Sequence, residues 1–262
     1  MSASTTAPET VWLLGHDIRW RLAQALSHSD YRVGELVEAV GERHNLVSYH
    51  LGLLRRAGVV SERRSSRDSR DVYYSLNLGG LRDGLDQGLT GLHPTLRMPP
   101  LGTPEASAEG LRQPRLLFVC TGNSARSQLA EALARDLAHG TVVVASAGPR
   151  PAGIHPMTMK VLKELGLPVD GLHSKSIEEV GGRFDFVVTL CDVAREDCPP
   201  FHGADVIHWS LPDPAQSNDS RGELRQAFKR AAEELRQRIS FLLPILVEKA
   251  PDPKALRRRS RA

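Results

Sequence analysis

A cysteine followed six positions later by an arginine is the first feature of this chain that could do chemistry. The motif CTGNSARS occupies residues 120–127, directly after the apolar run RLLFV. This pattern predicts a buried strand, a loop and a helix, whose loop amides and helix N-terminus would bind a tetrahedral oxyanion. The predicted oxyanion-binding residues are Thr121, Gly122, Asn123, Ser124, Ala125, Arg126 and Ser127.

Cys120 is the predicted nucleophile, because the positive field of the loop would stabilise its thiolate. Arg126 would clamp the anion through two N–H groups. A second strand-like run, FDFVVTLC, ends at Cys191, and Cys198 follows seven positions later. A third short run precedes Asp213.

The carboxyl ends of parallel strands converge on one crevice, so we expect Cys120, Cys191 and Asp213 to meet there. Asp213 would then protonate a departing oxygen. The alternative is that it only caps the turn before Pro214. Three cysteines, none of them before Cys120, are too few for a structural disulfide framework and are predicted to be chemical.

Length and composition limit the number of domains and the class of protein. The chain has 262 residues, of which 40% are hydrophobic and 25% charged. These values predict two ordinary globular domains and exclude wholesale disorder and collagen-like repeats. There is no long apolar run, and the first residues have neither the basic nor the apolar region of a signal peptide. We therefore expect a cytoplasmic protein without a membrane partner.

The boundary between the two domains is predicted in a segment rich in proline and glycine. Residues 93–115 hold five prolines and two glycines, a composition typical of an extended spacer. The predicted organisation is a first domain over 1–93, a flexible linker over 94–113, a second domain over 114–249 and a basic tail over 250–262. A long loop within one domain is the alternative.

The first domain is predicted to be a winged helix-turn-helix, mostly α with a β-hairpin. Helical spacing of apolar residues covers 33–41 and 45–57, with a glycine suited to end each helix. Two short helices joined by a tight turn form the unit whose second helix enters the major groove of DNA. The runs VVSERR and VYYSLNL read as two strands, and the polar tip SSRDSRD between them would form the wing.

The net charge of +3 is too small to imply nucleic-acid binding by itself. Whether the domain binds DNA must therefore be judged from where its charges lie. Arginines cluster at the hairpin and at the end of the second helix, where they would neutralise phosphates. Those arginines are Arg55, Arg56, Arg63, Arg64, Arg67 and Arg70. Asn45, Ser48 and Tyr49 would reach base edges. A solvated run of charges is the alternative, and His50 is expected to be a hydrogen-bonded core residue.

The string SYHLGLLRRAGVVSERR, followed by Tyr73 and Tyr74, resembles the winged-helix repressors of the arsenical-resistance (ArsR) family over residues 10–92. The resemblance implies a homodimer formed through 11–26 and 81–92, and DNA as a partner. Arsenite-sensing relatives carry a cysteine pair at the start of the first helix of the helix-turn-helix. At that place this chain has residues 30–33, none of which is a cysteine. This domain alone is not expected to bind a thiophilic ion.

The second domain resembles the low-molecular-weight protein tyrosine phosphatase superfamily through CTGNSARS, SAG at 146–148 and DPA at 213–215. Within it, TLCDVAREDCP and HWSLPDPA are similar to the thioredoxin-coupled arsenate reductases. The resemblance implies an α/β fold with a parallel sheet flanked by helices and a phosphate-type anion loop. Phosphatase relatives grip a phenol ring with aromatic residues after the acid, whereas Ala215 and Gln216 stand here.

The resemblance also implies a three-thiol mechanism with arsenate as substrate, thioredoxin as external reductant and no bound cofactor. Cys120 would attack arsenic(V) while Asp213 protonates the leaving oxygen. Cys191 would then attack Cys120, and Cys198 would take over the disulfide. Gel-based thiol trapping would show a Cys191→Ser variant stalled after one arsenite per chain.

Some of these reductases hold potassium through four residues. Asn123, Glu131 and Ser146 match three of them, and Lys175 stands at the fourth. We expect the lysine ammonium to replace the ion, so that the chain holds no metal.

The preferred interpretation is an arsenate reductase fused to a DNA-binding regulator of arsenic resistance. One alternative is a tyrosine phosphatase with a DNA-binding domain. The other is a repressor whose second domain is a non-catalytic oxyanion or redox sensor.

Overall fold

The computed structural model of the chain describes residues 8–101, 113–198, 200–216 and 221–248. Two compact units are present: Met1–Pro100 with His208–Ser210, and Leu101–Ile207 with Leu211–Ala262. The predicted basic tail and residues 102–112 of the predicted linker lie outside the described residues. None of the described helices combines the length and the apolar character needed to cross a bilayer.

The first unit is largely helical and contains a small sheet. Its elements are α1 (Glu9–Leu14), α2 (Asp17–Ala25), β1 (Tyr31–Arg32), α3 (Val33–Val40), α4 (His44–Arg56), β2 (Val60–Arg64), β3 (Val72–Leu76) and α5 (Leu78–Leu92). The helix over 33–40 ends as predicted at Gly41, whose φ of 70° is the left-handed conformation that glycine adopts at a helix end. Leu36 of α3 and Leu51 of α4 lie in the core of this unit.

The two strands predicted over VVSERR and VYYSLNL form an antiparallel hairpin. In this hairpin Val60 pairs with Leu76 and Arg64 with Val72, and β1 adds to the other edge of β3. The polar tip is closed by a hydrogen bond from the Ser65 amide to the Asp71 carbonyl, 2.8 Å. A short helix pair and a hairpin are therefore present at the positions expected from the sequence.

The described first residues of the predicted linker contain a short turn and hydrogen bonds to α5. Pro94–Leu96 forms a 3-10 turn, and the Met98 amide donates to the Asp86 carboxylate of α5, 2.6 Å. Arg82 of α5 donates to the Pro99 carbonyl. Polar side chains of α5 thus bind the backbone of this segment, an interaction that its proline-rich composition does not reveal.

The second unit has an α/β fold with parallel strand pairs. Its elements are β4 (Arg115–Val119), α6 (Arg126–Ala138), β5 (Val143–Ala147), α7 (Pro156–Glu164), α8 (Ile177–Val180), β6 (Phe186–Thr189), α9 (Asp192–Asp197), β7 (Asp205–His208) and α10 (Arg221–Glu248), with a 3-10 turn at Pro214–Gln216. The strand order is β5-β4-β6-β7, and β4 pairs in parallel with β5 and with β6.

Strand β4 lies in the middle of the core. Its residues Leu116, Leu117, Phe118 and Val119 are all buried, as expected for a strand of a parallel sheet that is covered on both faces. Helix α10 packs along α6, and α6 packs against β4 and β5. The motif CTGNSARS spans the loop between β4 and α6, and its Arg126 and Ser127 are the first residues of α6.

Candidate active site

The loop from Cys120 to Arg126 is held by hydrogen bonds to its carbonyl groups. The carbonyls of Thr121, Gly122 and Ser124 accept the amides of Arg150, Ala152 and His155, at 3.0, 3.0 and 3.1 Å. In the described part of the chain, the amides of residues 121–125 donate to no other protein group. Because the carbonyls are bonded on one side, the amides remain available for an anion on the other.

Gly148 of the SAG motif passes very close to this loop. A Cβ there would lie 2.7 Å from the Thr121 carbonyl oxygen and 2.8 Å from the Asn123 amide nitrogen. No side chain fits at that separation, so glycine is required for the approach. The Gly148 amide donates to the Lys175 carbonyl, 3.0 Å, which ties the next segment to the loop.

The buried side chain of Asn123 orders a polar network beneath the loop. Its Oδ1 accepts the Lys175 backbone amide at 2.7 Å and Gln128 Nε2 at 2.8 Å. A backbone amide can only donate, so the orientation of the Asn123 side-chain amide is settled. Its Nδ2 therefore donates to the hydroxyl oxygens of Ser127 and Ser146, both at 2.8 Å.

This orientation determines which way the Ser127 proton points. The Ser127 oxygen accepts from Asn123, and it lies 2.9 Å from the sulfur of Cys120. Its hydroxyl hydrogen is thus available to the sulfur, and a donor at this place stabilises a thiolate. Cys120 itself is buried at the carboxyl end of β4, with 3% of its surface exposed.

The second thiol lies beside the same loop. Cys191 is buried directly before α9, and its sulfur is 3.3 Å from the Thr121 hydroxyl. Thr121 is the neighbour of Cys120 in the chain, so the loop contacts both thiols. The structure thereby brings the strand ends of β4 and β6 together, as the topology predicts.

The third thiol is half-buried at the other end of α9, and all three cysteines are free. Burial is the main cause that raises the pKa of Cys198 to about 12, with smaller contributions from Cys191, Asp197 and Cys120. Seven residues of helix span about 10 Å, whereas bridged cysteines have Cα atoms within about 7 Å. A disulfide between Cys191 and Cys198 therefore requires α9 to open.

Asp213 contacts the arginine of the loop. Its Oδ2 lies 2.8 Å from Nη2 of Arg126, and the two side chains are 22% and 7% exposed. Its Oδ1 accepts the Ala215 amide, 3.1 Å. Asp213 thus stabilises the turn at Pro214, the alternative considered from the sequence, and also faces the anion loop.

Lys175, the fourth position of the ion set that the resemblance implies, forms an ion pair with Glu131. Its Nζ is 3.2 Å from Oε2 of Glu131, and the side chains of the two residues are 10% and 0% exposed. The hydroxyl of Ser146 donates to the same carboxylate oxygen. Among the described residues there is no cluster of three or more acidic, histidine or cysteine side chains that could hold a metal.

The residues predicted to read DNA bases lie on the first turns of α4. Tyr49 is 59% exposed. Asn45 is exposed, and its Oδ1 accepts the Leu46 amide. Ser48 is half-buried and lies 3.4 Å from Nδ1 of His44.

The expected concentration of positive charge is reduced by ion pairs. Arg55 pairs with Glu62, and Arg70 pairs with Asp68 at 2.6 Å and holds the pKa of that carboxyl down at about 2. Arg56, Arg64 and Arg67 are exposed, and Arg63 is half-buried. A count of charged residues in the sequence missed these pairs, because it does not show which arginine contacts which carboxylate.

His50 is buried on the apolar face of α4, as expected, yet not hydrogen-bonded at Nδ1. That nitrogen has no partner in the described part of the chain, and the ring packs 4.5 Å from the ring of His16. Burial lowers the pKa of His50, so the neutral imidazole packs in the core.

Gln128 is a site residue that sequence reasoning missed. Its Nε2 bonds Oδ1 of Asn123 and the His173 carbonyl, both at 2.8 Å. The available signal was a polar residue on the buried face of α6. Because buried polar groups need hydrogen-bond partners, such a residue indicates a polar network.

The second unit is similar in sequence to known proteins. The model of the family described as low molecular weight phosphotyrosine protein phosphatase matches residues 115–252. Arsenate reductases from Halalkalibacterium halodurans and Bacillus subtilis are each 35% identical to the chain, over 126 and 127 residues. Each alignment covers 47% of this chain and 91% of the relative.

A solved structure described as an arsenate reductase in the phosphate binding state is also similar. It shows 27% sequence identity and a TM-score of 0.45, and the match covers 51% of this chain and 98% of that one.

Proposed function

The chain belongs to the low molecular weight phosphotyrosine protein phosphatase family, and from this we propose that its second unit is an arsenate reductase. The observation that carries the proposal is the position of two thiols at one anion loop, with a third at the end of the adjoining helix. Cys120 lies at the base of the loop and Cys191 contacts Thr121. Curated relatives named arsenate reductase support the choice of substrate.

In the first step Cys120 attacks arsenic(V). A sulfur–arsenic bond forms, one arsenic–oxygen bond breaks, and the departing oxygen leaves as water with a proton from Asp213. The loop amides and Arg126 stabilise the negative charge on the remaining oxygens. The Ser127 hydroxyl lies 2.9 Å from the attacking sulfur and can donate a hydrogen bond to it.

In the second step Cys191 attacks the sulfur of Cys120. A Cys120–Cys191 disulfide forms, and the sulfur–arsenic bond breaks with its electron pair going to arsenic. Arsenic(V) becomes arsenic(III) and leaves as arsenite, while the two thiols are oxidised. The Cys191 sulfur lies 3.3 Å from the hydroxyl of Thr121, the residue that follows Cys120, and this contact supports the proposed attack.

In the third step Cys198 attacks Cys191 and releases the reduced Cys120. Helix α9 must open for this exchange, because it separates the two cysteines by its full length. Opening also exposes Cys198 to water and removes the burial that keeps it protonated. A dithiol protein, thioredoxin, then reduces the Cys191–Cys198 disulfide, which fits a cytoplasmic location.

The residues after Asp213 favour arsenate over an aryl phosphate. The 3-10 turn Pro214–Gln216 carries Ala215 and Gln216, neither of which offers an aromatic face to a phenol ring. A small inorganic anion needs no such surface. Tyrosine phosphatase activity is therefore the second candidate function of this unit.

Turnover of the purified chain tests this function. With thioredoxin, thioredoxin reductase and NADPH, we expect arsenate-dependent oxidation of NADPH and much weaker hydrolysis of p-nitrophenyl phosphate. Because arsenite leaves only when Cys191 attacks, the Cys191→Ser variant is expected to stall at the arsenic adduct of Cys120 and release none, instead of the single equivalent expected from the sequence, and Cys120→Ser is expected to release none. Undiminished turnover by Cys191→Ser rejects the relay, and efficient phosphate hydrolysis without arsenate reduction indicates a phosphatase.

We infer that the first unit is a winged helix-turn-helix that binds DNA, with α4 in the major groove and the β2–β3 hairpin on the backbone. Exposed Tyr49 and the exposed arginines of the hairpin support this assignment. The exposed side chains of Trp12, Trp20 and Leu92 on α1, α2 and α5 support dimerisation through these helices. The fusion would serve regulation of arsenic resistance.

A further inference from the structure

The first turn of α7 donates a side-chain hydrogen bond to the anion loop. Thr158 of this turn is fully buried, and its hydroxyl donates to the Ser124 carbonyl oxygen at 3.0 Å. The amide of His155, the residue before α7, donates to the same oxygen at 3.1 Å. A carbonyl oxygen has two lone pairs, so these two donors satisfy it completely.

This pair of bonds orients the peptide between Ser124 and Ala125. A trans peptide is planar, so its C=O and N–H groups point in opposite directions. Ala125 is the residue before α6, with φ −122° and ψ −82°, and the direction of its amide therefore does not follow from helical geometry. Because the Ser124 carbonyl is held at α7, the Ala125 amide is directed to the opposite side of the loop, where an anion is expected.

Packing alone does not require a hydroxyl at Thr158. A valine has the same shape and would fill this buried place without needing a hydrogen-bond partner. A threonine within a helix commonly bonds a carbonyl three or four residues before it, in its own helix. Thr158 instead bonds a carbonyl 34 residues away in the chain, so its hydroxyl serves the anion loop.

We propose that Thr158 is a positioning residue for the oxyanion. Its hydroxyl fixes the Ser124–Ala125 peptide and polarises it, because a hydrogen bond to a peptide carbonyl strengthens the bond that the N–H of the same peptide donates. Thr158 thus acts through this peptide and not as a ligand of the anion. The inference rests on the proposed function for the identity of that anion as arsenate.

Sulfate binding by the full chain, measured by isothermal titration calorimetry, tests this role. Thr158→Val keeps the shape of the side chain and leaves the His155 amide on the Ser124 carbonyl, so we expect the fold to be retained. Its sulfate affinity should be about fivefold weaker, the effect of one weakened hydrogen bond. The KM for arsenate should rise by a similar factor with little change in kcat, because the peptide binds the substrate oxygens before and throughout the reaction.

Thr158→Ser separates positioning from stability. It keeps the hydroxyl and loses a buried methyl group, so it should lower Tm and keep the sulfate affinity within about twofold of the original. If Thr158→Val does not fold, Thr158→Ala takes its place, because alanine and serine at this position differ only in the hydroxyl.

Thr141→Val is the matched control. Thr141 is 5% exposed, and its hydroxyl and amide both donate to the Ala138 carbonyl, at 2.7 and 2.8 Å. That carbonyl lies at the opposite end of α6 from the loop, about 18 Å away by the rise of the helix. Thr141→Val therefore removes the same kind of bond and should leave the sulfate affinity unchanged.

Equal sulfate affinity in Thr158→Val and the unmodified chain would overturn the proposal. So would an equal loss in Thr141→Val, a loss in Thr158→Ser as large as in Thr158→Val, or no sulfate binding by the unmodified chain. Weaker sulfate binding by Thr158→Val in a chain that does not reduce arsenate would contradict the proposed function and leave this inference intact. Arsenate reduction with unchanged KM and sulfate affinity in Thr158→Val would overturn this inference alone.

Discussion

At the scale of single residues, the polar network under the anion loop depends on one buried carboxylate. Glu131 is fully buried and accepts from Ser146, and its charge is balanced by Lys175 and by the half-exposed Arg135. Ser146 in turn accepts from Asn123, which also holds Ser127 beside Cys120. The charge at Glu131 is thus connected by hydrogen bonds to the predicted nucleophile.

Replacing Lys175 by methionine removes an ammonium from a buried ion pair. We expect Lys175→Met to lower the free energy of unfolding of the second unit by about 3 kcal/mol, because a buried carboxylate loses a partner. Potassium, more than sodium, should restore part of this loss, since the ion can enter the place of the ammonium. Hydrogen exchange of the α6 amides measures the change.

Lys163→Met on the exposed side of α7 is the control and should change the free energy by less than about 0.5 kcal/mol. The unmodified chain should be equally active in potassium and sodium at equal ionic strength. A strong rate increase on adding potassium to the unmodified chain would show that Lys175 does not replace the ion.

At the scale of elements, apolar periodicity was sufficient for α3, α4 and the hairpin, and the run RLLFV for β4. The network around Asn123 could not be predicted in the same way. Its partners Ser146 and Lys175 lie 23 and 52 residues away, and such contacts depend on packing that no local pattern specifies. The ion pairs of Arg55 and Arg70 were missed for the related reason that side-chain geometry selects the partners.

Helix α9 is the element that must change its structure in the relay. The amide of Arg195 donates to the Cys191 carbonyl at 3.0 Å, and proline at this position removes that bond. A thiol with a pKa of about 12 is ionised at pH 8.5 in fewer than about one molecule in a thousand. Opening the helix lowers the pKa of Cys198 toward the ordinary value, so Arg195→Pro should speed its alkylation at least about tenfold.

Peptide mapping of iodoacetamide-treated chain measures the rate at Cys198 separately from the other two thiols. Arg195→Ala is the matched control, because it removes the same side chain and keeps the amide, and its Cys198 should react at the original rate. Equal rates in the proline and alanine variants would mean that α9 does not protect Cys198.

The hairpin offers an equivalent test in the first unit. Arg64 is exposed on β2, whereas Arg70 is already paired with Asp68. Arg64→Ala should weaken binding to any DNA duplex and reduce the slope of log K against log salt concentration by about 0.9. Arg70→Ala should reduce it less.

Fluorescence anisotropy with a random-sequence duplex and one selected from a library measures both slopes. Tyr49→Ala should affect the selected duplex more than the random one, because base contacts carry sequence preference. Equal slope changes in Arg64→Ala and Arg70→Ala, or no DNA binding at all, would contradict the proposed role of the hairpin.

At the scale of the whole molecule, the chain combines two units whose chemistry is separate. All three cysteines lie in the second unit, so redox chemistry is confined to it. The first unit carries the arginine-rich hairpin and the helix pair. An arsenic-dependent change in DNA binding would therefore have to begin at the three thiols of the second unit.

The disulfide left after a single turnover tests the central claim most directly. The fully reduced chain is mixed with one equivalent of arsenate without thioredoxin, quenched with an alkylating reagent and mapped by mass spectrometry. The relay predicts a Cys191–Cys198 disulfide, an alkylated Cys120 and one arsenite per chain. Three alkylated thiols after exposure to arsenate, or the same disulfide when phosphate replaces arsenate, would contradict it.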